Sequence, residues 1–275
     1  MTKDSKFEIE GEPHRSLLCG RAALIIAHPG HELRVHGWME SARPSVMVLS
    51  DGSGRSGRSR LDSTTRILAR AGARPGKIYG RFTDAEIYAA LINYDFALFI
   101  DLVEELSETL VREQVSYVVG DAVEGYNPTH DVCRYVINAA VILAERACRI
   151  PAANFDFLVV GHPETCPEDL RTQAVWLRLS DEALMRKLAA AHAYTEIAGD
   201  VDSALAEMGI EAFRGVCLRP VARGPISSGL TEQRPFYERY GEEQVAAGHY
   251  ERVLRYSEHI APLIETLNSH VASRG

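Results

Sequence analysis

His28 and His31 flank a Pro29-Gly30 turn at the end of an apolar run, and His130 lies downstream in Asn127-Pro128-Thr129-His130-Asp131. Such a turn can point both imidazoles into one crevice. A third nitrogen from His130 completes a facial donor set with one position open to solvent. Zinc takes sets of this kind, at roughly 2.0–2.1 Å, and lowers the pKa of its bound water to about 7. A His-x-x-His pair also occurs as capping or surface histidines, so the spacing alone leaves metal binding and packing both open. His130 follows a later strand as His28 follows an earlier one, which favours convergence. His14, His36, His249, His259 and His270 have no such placement.

Hydrolysis also needs a group to move protons. Asp51, Asp121, Glu124 and Asp131 fall in loops at the same end as the histidines, and Glu32 adjoins His31. Asp51, Glu32 and Asp131 are the candidate catalytic carboxylates. Glu32 and Asp131 are read equally well as acids that offset a helix N-terminus. The loop Asp51-Gly-Ser-Gly-Arg-Ser-Gly-Arg-Ser59 leads into Arg60, so that Arg55, Arg58 and Arg60 offer forks for a substrate phosphate or carboxylate, or face solvent. Its Gly-x-Gly element lacks the dinucleotide fingerprint and implies neither NAD nor ATP.

The elements that must position these groups are legible as short apolar runs between amphipathic ones. AALIIA after Arg21 and Ser45–Ser50 read as buried strands, as do 96–100, 115–120, 155–160 and 175–179. Helices are expected over 33–43, 61–71, 87–92, 102–113, 132–148, 181–196 and 242–268. Gly72 and Pro75-Gly76 read as breakers, and Thr83-Asp-Ala-Glu86 as a capping box. Strands alternating with helices imply parallel crossovers, hence an α/β, Rossmann-like, mostly parallel sheet flanked by helices. Ligands of such sheets lie beyond the strands' C-terminal ends, where His28, Asp51, Asp121 and His130 all fall.

The chain has 275 residues, 46% hydrophobic and 25% charged, enough to bury a core without disulfides. Its net charge of −8 disfavours nucleic acid as a partner. Cys19, Cys133, Cys148, Cys166 and Cys217 form no CxxC pair and are expected to be mostly buried thiols. The polar opening and the lack of a long apolar run predict no signal peptide, no membrane partner and a cytoplasmic location. Residues 1–16 are expected to form a flexible arm and 17–275 one domain, with a helical elaboration from about 200. Self-association into a homo-oligomer is compatible with this reading.

Ala27-His28-Pro29-Gly30-His31-Glu32 resembles the Ala-His-Pro-Asp-Asp-Glu motif of the LmbE/PIG-L family of zinc-dependent N-acetylglucosaminyl deacetylases. Asn127-Pro128-Thr129-His130 is similar to that family's His-Pro-Asp-His segment, and Ser50-Asp51-Gly52 to its loop after the second strand. Gly80-Arg-Phe-Thr-Asp84 is similar to a following turn whose aspartate shapes the site. These motifs recur in the family's order over roughly residues 17–200. The resemblance implies an LmbE/PIG-L-like fold, Zn2+ held by His28, His31 and His130, and hydrolysis of an acetamido sugar or related small metabolite. Asp84 and Asn127 then join the arginines as substrate-binding candidates.

The correspondence is uneven. His31 stands where the family has an aspartate ligand, and Gly30 where it has the general-base aspartate. Asn127 and Thr129 replace the histidine and aspartate of the second motif. Losing a positioned acid or base forfeits roughly 10²–10⁴ in rate. Another carboxylate therefore assists, or the scaffold is a catalytically altered binding protein, or it hydrolyses a different N-linked sugar derivative.

Overall fold

A computed structural model of the chain describes residues 7–10, 19–148, 152–230 and 234–274; for 7–10 and Arg55 it describes the backbone only. The described strands are β1 (Phe7–Glu10), β2 (Ala22–Ile26), β3 (Ser45–Ser50), β4 (Arg74–Phe82), β5 (Tyr117–Asp121), β6 (Ala153–Phe157), β7 (Val175–Leu179) and β8 (Gly215–Pro220). They form one sheet in the order β1-β7-β8-β6-β5-β2-β3-β4. From β6 to β4 neighbouring strands run parallel, whereas β8, β7 and β1 are added antiparallel.

Helices cover both faces. They are α1 (His36–Ala42), α2 (Leu61–Ala71), α3 (Asp84–Ile92), α4 (Ala97–Arg112), α5 (Pro128–Cys148), α6 (Asp181–His192), α7 (Ala198–Met208), α8 (Phe236–Ala246) and α9 (Ala261–Ser273). All five β2 residues are buried. Because side chains alternate across a strand, Ala23 and Ile25 enter one apolar cluster while Ala22, Leu24 and Ile26 enter the other. This double burial is why the central strands read as unbroken apolar runs.

Several element boundaries differ from expectation. The run 96–100 is the start of α4, not a strand: Phe99, Leu102, Val103, Leu106 and Leu110 are buried at helical spacing. Five consecutive apolar residues carry no period that separates strand from helix. Pro75-Gly76 lies inside β4, the sheet's edge strand, where proline's missing N–H need not pair. The 33–43 helix is a 3₁₀ turn at His31–Leu33 followed by α1. The 181–196 helix ends at His192. The long 242–268 helix is broken between α8 and α9, with Gly248 at φ 73° after the first and proline in the first turn of the second. Pro235–Tyr240 thus helps open a helix, and β8 was not expected at all.

Within the 1–16 arm only 7–10 are described, and they pair with β7 from Phe7↔Leu179 to Glu10↔Trp176. Of the cysteines, Cys133 and Cys217 are buried, while Cys19 and Cys148 are exposed. No described helix is long and apolar enough to cross a membrane.

Candidate metal centre

The strand order reverses between β2 and β5, and the crevice beyond their C-terminal ends is where such sheets bind ligands. β2 delivers His28 two residues past its end. Gly30, at φ 109°, turns the chain so that His31 opens the 3₁₀ turn on the same side. β5 delivers Asp121. The third histidine comes from the first turn of α5, not from a loop: Pro128 starts that helix and Asn127 Oδ1 accepts from Thr129 N at 2.8 Å.

The His28, His31 and His130 rings meet with centroids 5.2, 5.0 and 4.4 Å apart. One ligand atom from each lies within 4.8 Å of the others. Burial lowers the pKa of all three, most strongly at His31, which favours the neutral ring with a free lone pair. His31 Nδ1 lies 2.8 Å from Asp121 Oδ2, which also accepts from Ala27 N at 2.7 Å. With Nδ1 donating to the carboxylate, Nε2 keeps the lone pair with which it could ligate a metal. His28 Nε2 lies 3.1 Å from Asp84 Oδ1.

The residues present fit a divalent metal. His130 Nδ1 and Asp121 Oδ1 are buried without hydrogen-bond partners among the described residues, although a buried unpaired polar atom costs about 1–3 kcal/mol. Two such atoms beside three buried imidazoles are accounted for by a cation at the site, and nitrogen donors backed by carboxylates suit zinc.

The carboxylates divide by position. Glu32 is fully buried; its Oε2 accepts from Gly30 N at 2.7 Å and its Oε1 from Thr64 Oγ1 at 2.8 Å. Burial raises its pKa to about 7. Asp131 Oδ1 accepts from Glu124 N and Gly125 N at 2.9 and 3.1 Å, and burial likewise raises its pKa to about 7. Asp51 Oδ1 accepts from Ser53 N at 2.9 Å. Each of these three, the candidates from sequence, therefore holds a turn. Asp84 instead lines the open cavity. Burial opposes its ionisation, but His28 and the hydrogen bonds from Ser50 and Gly54 outweigh that and hold it below the usual carboxylate range.

That cavity, about 820 Å³, is lined by His28, His31 and His130 along with Arg60 and Asn127. Its walls are aromatic. Tyr126 and Phe236 stack at 5.0 Å and 6°, and Tyr88 faces Tyr250 at 5.6 Å. Arg60 Nε donates to Gly52 O at 2.6 Å, and among the described residues the terminal nitrogens of its fork make no hydrogen bond. Arg58 is exposed and outside the cavity lining, and the Arg55 side chain lies outside the described residues. Sequence reasoning missed Asp121 as the partner of His31 and the aromatic wall on α8. The only signal for the wall was the Phe236, Tyr237 and Tyr240 cluster.

No protein-family model matches the chain, and no curated protein does. Among solved structures, the deacetylase–bog complex of the teicoplanin biosynthesis pathway is similar, with a TM-score of 0.50 and 15% identity over 75% of this chain and 100% of that one. The A40926 pseudoaglycone deacetylase Dbv21 is similar with a TM-score of 0.48 and 18% identity, over 76% and 99% of the two chains. The first of these likenesses is one of fold.

Proposed function

We propose that the chain is an LmbE/PIG-L-type, metal-dependent N-deacetylase acting on an acetamido sugar or sugar-containing small metabolite. The observation that carries this reading is the convergence of three buried imidazoles at the switch point of the sheet. His28, His31 and His130 would hold Zn2+, which when bound supplies a Lewis acid and a water that ionises near neutral pH.

The chain's own groups would do the rest. Asp84, ionised and facing the cavity, accepts and returns the proton; it takes the part that sequence reasoning gave to Asp51, Glu32 and Asp131. Asp121 fixes the His31 tautomer and ring angle. Glu32 holds the Gly30 amide and with it the turn between two ligands, while Asp131 and Asp51 fix the loops that carry Glu124 and Gly52. Arg60 and Asn127 meet polar substrate groups in the cavity, and the apolar faces of a sugar ring stack on Tyr126 or Phe236.

The test is metal content together with acetate release from a panel of acetamido sugars by the purified protein. Bound zinc, with release abolished by a chelator and by Asp84→Asn, is expected. Absence of both metal uptake and acetate release under metal-replete conditions sinks the reading.

A further inference from the structure

A second cavity, about 430 Å³, shares His31, His130 and Arg60 with the first and runs beneath α7. The histidines thus stand between two chambers. The second is larger than the methyl of an acetyl group requires, and its chemistry differs from the first. Leu188, Ala204 and Met208 contribute apolar wall, and two cations, Arg34 and Lys187, line the interior.

Neither cation has a counterion within salt-bridge distance among the described residues. Lys187 is 4% exposed and donates to two carbonyls, Arg34 O at 2.9 Å and Phe213 O at 3.0 Å. Burial lowers its pKa to about 7. Arg34 Nε donates to Val159 O at 2.7 Å, yet its Nη1 is buried with no partner. Both cations sit over the Phe213 ring, 5.5 and 5.9 Å from its centroid. Glu124 acts on Arg34 only through space, and Asp200 and Glu207 are exposed lining residues. A buried and a half-buried cation with no anion within salt-bridge distance among the described residues, in a chamber with apolar walls, are what an amphiphilic acid would complete.

We propose that the chamber beneath α7 binds a medium-chain aliphatic carboxylate, with Arg34 and Lys187 on the anion and Leu188, Ala204 and Met208 along the chain. The acid is either a free ligand or the distal end of an acyl group on the substrate. The second source rests on the hydrolase reading above; the first does not.

Calorimetric titration of the purified protein with hexanoate, and with hexanol as the uncharged control, tests this directly. Hexanoate is expected to bind at least tenfold more tightly than hexanol. Lys187→Met should weaken hexanoate at least tenfold and leave hexanol unchanged, whereas Ala204→Trp, which fills the chamber, should abolish both with the circular dichroism spectrum retained. Arg34→Gln replaces Lys187→Met if that variant does not fold. Equal affinity for the two probes overturns the proposal. So does hexanoate binding that survives both substitutions, as it would if the carboxylate bound a metal at the histidines.

A hydrolysis assay then separates the sources. Faster cleavage of an adipoyl than an acetyl amide of one amino sugar places the acid on the substrate's acyl group, and no such preference makes it a separate ligand. If neither amide is cleaved, the proposed hydrolysis fails while the binding result stands.

Discussion

Ile197 Cδ1 lies 3.1 Å from where a Cβ on Gly30 would stand, with the Tyr194 ring 3.9 Å away. The position where the resembling family carries its general base is therefore backed by an isoleucine and a tyrosine, on a backbone at φ 109° that side chains rarely adopt.

Restoring an acid at this place is accordingly expected to fail. Gly30→Ala should cost about 1–3 kcal/mol in urea unfolding, from the strained backbone and the shift forced on Ile197. Gly30→Asp should lose at least as much and gain no acetate release. A Gly30→Asp variant that is as stable as wild type and more active would show that the family's base position remains usable.

Asp121 joins Ala27 N and His31 Nδ1 through one oxygen, so it ties the ends of β2 and β5 to the orientation of a ligand. Asp121→Asn is expected to weaken zinc binding by about 10–100-fold, the usual effect of losing a carboxylate behind a ligating histidine. His28→Ala and His31→Ala should weaken it further while leaving most helical content intact. Calorimetry with zinc, beside circular dichroism, reads both quantities. Wild-type zinc affinity in His28→Ala and His31→Ala would reduce these histidines to packing groups.

The aromatic wall makes a kinetic prediction. Tyr126 and Phe236 are 46% and 40% exposed and stack on each other, so they offer ring faces to a ligand and do not serve the core. Tyr126→Ala or Phe236→Ala should raise KM for a sugar substrate by about tenfold, or 1.4 kcal/mol, with kcat and zinc content little changed. A fall in kcat at constant KM would move these rings from binding to the chemical step.

Lys187 makes stability depend on pH. Its folded pKa is lowered from 10.5 to about 7 by burial, so between those values the unfolded chain binds more protons than the folded one. Stability from this group therefore rises as pH increases from about 7 towards 10.5, and the penalty is fully present below 7. Urea midpoints of wild type minus Lys187→Met, measured from pH 6 to 9.5, should drift upward. A flat difference would mean that the folded protein keeps Lys187 charged throughout.

What the sequence determined by itself was local. The apolar runs of β2 and β3, the capping box at Thr83 and Glu86, and the stop of α2 at Gly72 follow from side-chain period and backbone freedom within a few residues. The spacing of His28 and His31 about Pro29-Gly30 belongs to the same class, because one turn fixes both. Tertiary structure decided the rest. Pro75 could enter β4 only because that strand took the sheet's edge, and 96–100 became helix because its continuation packs against α5. Asp121 reached His31 across 90 residues because β5 lies beside β2. Ile197 came to back Gly30, and Lys187 to meet Arg34, through helices that follow β7 in the chain. Such contacts depend on strand order and on which face each crossover covers. No short window of sequence encodes these, because they are set by the burial of the whole sheet at once.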